Sequence, residues 1–296
     1  PNIKLSPAAN KIPQTQAPKY LLSMRHMLTR HYCGYRHSNL AIRYQKSMRT
    51  TPSILDQYEQ VCARMPHAVT PTKFHDISSL VEIADHASAF VFDAFGVLNV
   101  VETLIEGADT RLNELRALGC KIRILTNDAS YDRAGAVEKF QRLGLSINEG
   151  EIVTSRDANL ACLGQGTWGI ITASEDQLLD IEEDWIPLGD ECKAYDDVDG
   201  FLFLSSKEWS DHRQNLLTKT LQKRPRPVLI GNADLVAPRG NGFSLELGYF
   251  GHLLVDAGIP NVRFFGKPFP EVYDLVECSL PKVRLNRIVM CGDTLH

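Results

Sequence analysis

Polar residues of complementary kinds follow four short apolar runs in this sequence. Asp93 follows Ala-Phe-Val-Phe, Thr126-Asn127 follows Arg-Ile-Leu, Lys267 follows Arg-Phe-Phe-Gly, and Asp293 follows Val-Met-Cys-Gly. A short apolar run without alternation is typical of a strand buried on both faces of a parallel sheet. Because the carboxyl ends of parallel strands meet at one edge, where open α/β sheets bind their ligands, we expect these side chains to lie together.

Together these residue types can carry out phosphoryl transfer. The carboxylates of Asp93 and Asp293 can share a Mg²⁺ ion, which prefers few protein oxygens together with water and phosphate. The Lys267 ammonium and the Thr126 hydroxyl can neutralise and orient a phosphoryl group. Asp93 is the candidate nucleophile, since carboxylates form aspartyl-phosphate intermediates.

Each of these residues also has an ordinary structural interpretation. Gly-Asp at Asp293 can cap a helix, and Thr126-Asn127 can begin one. Lys267, which precedes Pro268, can be a surface lysine. The order of an acid, Thr-Asn, Gly-Lys-Pro and Gly-Asp at successive strand ends favours the chemical interpretation.

Strands and helices are predicted to alternate around these residues. The spacing is typical of βαβ crossovers, and therefore of a parallel sheet with helices on its faces. The predicted fold class is α/β, with a Rossmann-like parallel sheet. Apolar patterns and helix-ending glycines place strands over 121–126, 151–154, 262–265 and 287–291, and helices over 54–64, 107–118, 132–143, 156–163 and 270–278.

A second alternation of strands and helices begins after residue 163. It predicts another α/β unit, inserted into the first, with strands over 167–171, 200–204 and 227–230 and helices over 210–222 and 247–257. The predicted organisation is an extension over 1–55, a first sheet unit over 80–163, an insertion over 164–261 and the remainder of the first unit over 262–296.

Composition and charge are those of an ordinary globular protein, with 44% hydrophobic and 23% charged residues. The net charge of -4 predicts no nucleic-acid partner and no membrane partner.

Residues 1–55 hold nine Lys or Arg and no acid, which predicts a basic, disordered extension or, alternatively, an organelle transit peptide. Seven scattered cysteines without a Cys-x-x-Cys pair predict reduced thiols and a cytoplasmic location.

The motifs taken together resemble those of the haloacid dehalogenase-like (HAD) superfamily, and specifically its class IIA phosphatase branch, which has an α/β cap of the C2 type. The resemblance covers about residues 88–296. The segment Gly231-Asn232-Ala233-Asp234 resembles the cap loop of that branch. The other matching segments are Asp93-Ala94-Phe95-Gly96-Val97-Leu98, Leu125-Thr126-Asn127-Asp128-Ala129-Ser130, Gly266-Lys267-Pro268 and Cys291-Gly292-Asp293.

This resemblance implies a phosphatase in which Asp93 attacks phosphorus and Thr126 and Lys267 hold the phosphoryl oxygens. It also implies that Asn127 and Asp234 contact the substrate as the cap closes over it. The expected ligand is a small phosphorylated metabolite, and the chain could form a homodimer.

The resemblance also implies a Mg²⁺ cofactor. Its ligands would be the Asp93 carboxylate, the main-chain oxygen of Phe95 and the Asp293 carboxylate.

Phe95 departs from the family pattern. Phosphatases of the family usually have a second Asp here, which protonates the leaving alcohol and then helps water attack the acyl phosphate. Phenylalanine cannot transfer a proton, and such catalysis is typically worth ~10² to 10⁴ in rate. Three hypotheses follow: a Mg²⁺-dependent phosphate-ester hydrolase that is slow or restricted to good leaving groups, a non-catalytic phosphometabolite-binding or regulatory protein, and a dehalogenase-like hydrolase, whose halide leaves unprotonated.

The family pattern normally continues beyond Gly292-Asp293 to another acid, a helix and a strand. The sequence given ends at His296. The predicted core is therefore truncated, and we expect one edge of its sheet to be uncovered.

Overall fold

The structure is a computed structural model that describes residues 51–67, 75–239 and 242–293. The predicted basic extension lies outside the described residues up to residue 50. Residues 51–55, the last part of that extension, form the first turn of a helix, so the prediction of disorder is wrong for them. Their apolar residue Ile54 is buried, and this burial favours the helix.

Helices and strands alternate along the described chain. The α-helices are α1 (Thr51–Val61), α2 (Ala108–Ala117), α3 (Arg133–Arg142), α4 (Ser155–Leu160), α5 (Cys192–Asp196), α6 (Asp211–Lys223), α7 (Leu247–Asp256) and α8 (Pro270–Ser279). Short 3₁₀ helices cover Cys62–Arg64, Leu80–His86, Glu149–Glu151 and Leu285–Arg287. The strands are β1 (Ala89–Asp93), β2 (Asn99–Val100), β3 (Thr103–Leu104), β4 (Lys121–Thr126), β5 (Ile152–Thr154), β6 (Trp168–Ile171), β7 (Trp185–Pro187), β8 (Gly200–Phe203), β9 (Val228–Ile230), β10 (Val236–Arg239), β11 (Gly242–Leu245), β12 (Val262–Phe264) and β13 (Ile288–Cys291).

The first sheet has the order β13-β1-β4-β5, and its strands pair in parallel. Phe90 and Phe92 of β1 pack in the hydrophobic cluster that includes Leu115 of α2, whereas Ala89 and Val91 belong to the cluster on the other face. Burial on both faces explains why this run is apolar without alternation. Burying one such phenylalanine contributes ~1.5 to 3 kcal/mol. The predicted α/β fold class is confirmed.

Parallel pairing aligns the carboxyl ends of these strands. Asp93 lies opposite Leu125, the residue before Thr126, and Phe92 lies opposite Cys291. Asp293 follows Cys291 by two residues. The first sheet therefore brings the polar residues at the carboxyl ends of β1, β4 and β13 to one edge.

The second sheet is also parallel and has the order β12-β9-β8-β6-β7. The prediction that the chain returns to the first sheet at residue 262 is wrong, because Val262–Phe264 pairs with β9. Strand β9, helix α7 and β12 form a βαβ crossover, and consecutive parallel strands usually become neighbours. In addition, Phe264 stacks on His252 of α7, with ring centroids 4.4 Å apart. The return to the first sheet runs instead through α8 to β13.

Five short strands were not predicted from the sequence. Strands β2 and β3 form one antiparallel hairpin, β10 and β11 form another, and β7 is an edge strand of the second sheet. Each spans two to four residues. Such lengths are too short for an alternating pattern to be recognised.

Helix α1 precedes the first sheet in sequence but contacts the region of the second sheet. Arg64, just after α1, donates hydrogen bonds to Asp256 at 2.5 Å and to Nδ1 of His252 at 3.3 Å. Leu235, between β9 and β10, donates its backbone N–H to the hydroxyl oxygen of Tyr58 at 3.1 Å. These contacts join α1 to α7 and to the loop after β9.

Two sequence-based expectations concern the surroundings of the chain. In the part of the chain that the structure describes, no helix combines the length and the apolar character required to cross a bilayer. The cysteines of the same part are free thiols, as predicted: Cys62, Cys120, Cys162, Cys192, Cys278 and Cys291.

The buried imidazole of His252 predicts acid-sensitive stability. Burial and the nearby Arg64 lower its pKa to about 4, partly opposed by Asp256. Since the pKa in the unfolded chain is ~6.5, the neutral ring stabilises the fold fully above that pH and progressively less as the pH falls to about 4. The loss over this window is up to ~3 kcal/mol.

Urea unfolding of the wild type and of His252→Phe between pH 4 and 7 tests this expectation. The variant keeps an aromatic ring stacked on Phe264 but cannot titrate, so its free energy of unfolding should fall less across the window. His212→Gln, at an exposed position of α6, is the matched control and should follow the wild type. An equal pH dependence of the free energy of unfolding in the wild type and His252→Phe would contradict a lowered pKa of His252 as its cause.

Candidate active site

Lys267 places a buried cation at the edge of the first sheet. The residue is only 7% exposed, and its Nζ donates to Asp93 Oδ1 at 2.7 Å and to the backbone oxygen of Leu125 at 3.0 Å. A buried ammonium is stable only when an anion and hydrogen-bond acceptors surround it. These two contacts use two of the three N–H donors of the ammonium. The third is then available to a phosphoryl oxygen.

Asn127 fixes the backbone of Lys267 from both sides. Its Oδ1 accepts the Lys267 N–H at 2.6 Å, and its Nδ2 donates to the Lys267 oxygen at 3.1 Å. The close approach requires glycine at position 266, where φ is +86° and an added Cβ would lie 2.6 Å from Asn127 Oδ1. Ser155, at the start of α4, donates its hydroxyl to the Asn127 oxygen at 2.9 Å.

Asp293 lies against the turn that follows Asp93. A Cβ at Gly96, where φ is +83°, would lie 2.3 Å from Asp293 Oδ2. Glycine is therefore required at position 96, because any side chain would displace this carboxylate. The first sheet thus carries two carboxylates on neighbouring strand ends, those of β1 and β13.

The carboxylates of Asp93 and Asp293 are oxygen ligands of the kind that magnesium prefers. The described residues contain no group of three or more His, Cys, Asp or Glu side chains arranged to hold a metal ion. Magnesium keeps several waters and is usually bound by one or two carboxylates together with substrate phosphate. The donor set present at this edge therefore fits Mg²⁺.

Phe95 lies in the turn between β1 and β2, and the residue is half-buried. The turn is closed by the Gly96 N–H, which donates to the Asn99 oxygen at 2.8 Å, and by the Leu98 N–H, which donates to the Ala94 oxygen at 2.8 Å. These hydrogen bonds fix the main chain around Phe95, which lies two residues after Asp93. Its side chain brings no titratable group to the site.

Thr126 ends β4 and is only 7% exposed. Its Oγ1 accepts the backbone N–H of Asp128 at 3.1 Å, which leaves the hydroxyl proton for an acceptor in the site. Asp128 in turn forms an ion pair with Lys139 of α3 at 2.7 Å. This ion pair was not predicted from the sequence.

Asp234 reaches the site from the loop between β9 and β10. Its carboxylate accepts a hydrogen bond from Asn127 Nδ2, at 3.2 Å to Oδ1. Its backbone N–H donates to Asn232 Oδ1 at 2.9 Å, and its backbone oxygen accepts the N–H of Gly248 at 3.0 Å. The structure therefore brings the sequence-predicted Asp93, Asn127, Asp234 and Lys267 into one hydrogen-bonded group.

Glu246 is a partly buried acid near Asp234 that the sequence did not single out. Its side chain is 16% exposed and accepts hydrogen bonds from Ser244 Oγ at 2.6 Å and from Arg239 at 3.3 Å. Burial raises the pKa of this carboxyl, and the charges of Asp234 and Asp128 add to that effect, although the Ser244 and Arg239 contacts oppose it. No recognisable motif surrounds Glu246, so no sequence signal marks it.

A second buried cation supports the loop that follows Thr126-Asn127. Arg156 of α4, 1% exposed, forms ion pairs with Asp176 and Asp180, each at 2.6 Å. The same guanidinium donates to the Ala129 oxygen at 3.4 Å. Planar bidentate contacts of this kind orient the guanidinium group as well as neutralise its charge. Arg156 thus links the site loop of the first sheet to the segment after β6 of the second sheet.

Comparison with known proteins gives one family and a set of related folds. Residues 90–173 match the family described as haloacid dehalogenase-like hydrolase. Phosphoglycolate phosphatase 1A, chloroplastic, from Arabidopsis thaliana is 35% identical over 98 residues, which cover 33% of this chain and 26% of that protein. The match thus spans only about a quarter of the length of this curated relative.

Solved structures match a larger part of the chain. A protein from Cytophaga hutchinsonii, described as a possible sugar phosphatase of the HAD superfamily, has a TM-score of 0.67 at 23% identity, with 75% of this chain and 82% of that chain covered. A glycerol phosphate phosphatase from Mycobacterium tuberculosis, solved with magnesium, has a TM-score of 0.57 at 17% identity, with 70% and 62% covered.

The matched family segment contains most of β1, with Asp93, and all of β4, with Thr126, followed by Asn127. The two solved structures cover 75% and 70% of the chain, so the likeness extends beyond the matched family segment. At 23% and 17% identity, this likeness is one of fold. Residues 90–173 thus match the haloacid dehalogenase-like hydrolase family, as the motifs predict, and the fold of the chain is similar to that of the solved HAD-superfamily protein.

Proposed function

We propose that this protein hydrolyses phosphate monoesters with Mg²⁺, through an aspartyl-phosphate on Asp93. The observation that carries the proposal is the buried contact of 2.7 Å between Lys267 Nζ and Asp93 Oδ1 at the edge of the first sheet. A carboxylate held beside a buried cation at a strand end is the arrangement that attack on a charged phosphoryl group requires. The family match supports the same reaction class.

The proposed first step uses Asp93, Lys267 and Thr126. One Asp93 oxygen forms a bond to phosphorus while the bond from phosphorus to the leaving oxygen breaks. Lys267 and the Thr126 hydroxyl neutralise and orient the phosphoryl oxygens. Water then attacks the acyl phosphate and releases inorganic phosphate, which restores the Asp93 carboxylate.

Asp93, Asp293 and the main-chain oxygen of Phe95 are the residues that would hold Mg²⁺. When bound, the ion would offset part of the negative charge of the phosphoryl group. Asp293, which packs against Gly96, would be the ligand contributed by β13.

Phe95 sets the expected range of substrates. No proton donor occupies the position that normally protonates the leaving alcohol, so acyl and aryl phosphates should react and alkyl phosphates should react slowly. We further propose that the region of the second sheet acts as the cap, that Asn127 and Asp234 contact the substrate, and that this substrate is a small phosphorylated metabolite. A cytoplasmic location, a homodimer and the lack of nucleic-acid or membrane partners stay predictions.

Phe95 also favours one alternative, a non-catalytic protein that binds a phosphorylated metabolite on the same scaffold. Hydrolysis of p-nitrophenyl phosphate by the purified wild type with Mg²⁺ decides between the two. Turnover supports the hydrolase. Stabilisation by phosphate without any turnover supports the binding protein.

Replacing Asp93 with Asn should abolish hydrolysis, because the amide keeps the shape of the side chain but is a poor nucleophile. We expect turnover of p-nitrophenyl phosphate to fall by at least ~10³-fold. Asp132→Asn is the control, since Asp132 caps α3 by accepting the Gly135 N–H at 2.7 Å and Asn caps equally well. Wild-type turnover by Asp93→Asn would exclude the proposed nucleophile.

Replacing Phe95 with Asp should restore the missing proton donor. We expect the kcat/KM for alkyl phosphates to rise ~10²-fold or more, and that for p-nitrophenyl phosphate to change much less. Phe95→Asn, which has a similar shape but no acid, is the matched control. If both variants show the same preference between leaving groups, the absent acid does not limit the reaction.

Removal of divalent cations with a chelator should stop hydrolysis, and added Mg²⁺ should restore it. Asp293→Asn should raise the Mg²⁺ concentration required for half-maximal rate by ~10-fold or more, because one carboxylate ligand is lost. Asp274→Asn, at an exposed position of α8, should titrate like the wild type. Undiminished turnover in chelator would refute the metal requirement.

A further inference from the structure

Helix α1 lies before the family-matched segment, yet one of its side chains contacts the loop that carries Asp234. Ile54, Tyr58 and Val61 are spaced along one face of this helix, and Ile54 and Val61 are buried. The hydroxyl oxygen of Tyr58 accepts the backbone N–H of Leu235 at 3.1 Å. Leu235 is the residue after Asp234, so α1 fixes the backbone that carries this carboxylate.

Hydrogen bonds continue from this point to the nucleophile. Asp234 accepts Asn127 Nδ2 at 3.2 Å, and Asn127 holds the backbone N–H of Lys267 at 2.6 Å. Lys267 Nζ then donates to Asp93 Oδ1 at 2.7 Å. The described contacts thus form an unbroken connection from α1, through the loop after β9, to the edge of the first sheet.

Further contacts anchor α1, and the surroundings of Tyr58 keep its hydroxyl protonated. Arg64 anchors the end of α1 to α7 through Asp256 and His252. Burial raises the pKa of Tyr58 far above its usual value, and the charge of Asp234 raises it further, although backbone hydrogen bonds from Leu235 and Val236 oppose this. The hydroxyl therefore keeps its proton at neutral pH.

We propose that Tyr58 is a positioning residue for phosphoryl transfer, since it holds the Asp234 loop so that Asn127 keeps Lys267 against Asp93. This inference rests on the proposed function. The hydrogen bond described for Tyr58 reaches Leu235, so Tyr58 acts through the adjacent Asp234 and not on a reacting group. Its loss should therefore misplace the Lys267 ammonium and lower kcat, with little change in KM.

The test compares hydrolysis of p-nitrophenyl phosphate with Mg²⁺ by the wild type, Tyr58→Phe and Tyr195→Phe. Tyr195 of α5 is the matched control, because its buried hydroxyl donates to the Gly189 oxygen at 2.8 Å and not to a site residue. We expect kcat to fall roughly five- to tenfold in Tyr58→Phe, with KM changed less than about twofold. Tyr195→Phe should lose comparable thermal stability and keep its kcat.

A double-mutant cycle separates positioning from a general loss of structure. In an Asp234→Ala background the connection is already broken, so Tyr58→Phe should lower kcat no further. A wild-type kcat in Tyr58→Phe would overturn the inference, and so would a loss that persists in full in the Asp234→Ala background. Both results leave the hydrolase function intact.

A wild type without turnover would end the proposed function but not the test of Tyr58. Calorimetric titration with vanadate and Mg²⁺ then becomes the measurement, because five-coordinate vanadate imitates the transition state of phosphoryl transfer. Affinity for vanadate weakened roughly fivefold in Tyr58→Phe and unchanged in Tyr195→Phe supports the positioning role. Equal affinity in all three proteins, or no binding by any of them, overturns it.

Discussion

The ammonium of Lys267 is buried at the edge of the first sheet, and its burial constrains everything around it. A cation removed from water loses several kcal/mol of hydration unless an anion and hydrogen-bond acceptors replace the water. Here Asp93 Oδ1 and the Leu125 oxygen replace it, and Asn127 holds the backbone of the lysine on both sides. Breaking such a pair leaves an uncompensated charge, so the fold and the proposed chemistry depend on the same contact.

Residues from both parallel sheets contribute to the contacts around Lys267. Asp93 and Thr126 come from strands of the first sheet, Lys267 follows the last strand of the second, and Asp234 follows β9 of the second. The contact between Asn127 and Asp234 therefore depends on how both sheets are placed. Arg156 adds an independent link on the other side of the Asn127 loop, through Asp176 and Asp180.

Much of the site could be predicted from the sequence because strand ends in a parallel sheet are marked by apolar runs that stop at a polar residue. Asp93, Thr126 and Asn127 were located by that rule, and β1 and β4 begin and end close to the predicted bounds. Strand β12 was assigned to the wrong sheet, since a run of three apolar or charged residues does not reveal its partner strand. The pairing depends instead on the short crossover from β9 through α7.

Contacts made by isolated side chains could not be predicted. Tyr58 and Glu246 lie in no motif, and only tertiary contacts bring them to the loop that carries Asp234. Phe95 is the opposite case, because the resemblance to the family expects a proton donor at its position in the sequence. An acid-quenched reaction with radiolabelled p-nitrophenyl phosphate, followed by peptide mapping, tests the central role of Asp93 most directly. Label on the peptide that contains Asp93 is the expected result, and turnover with label elsewhere or with none would contradict it.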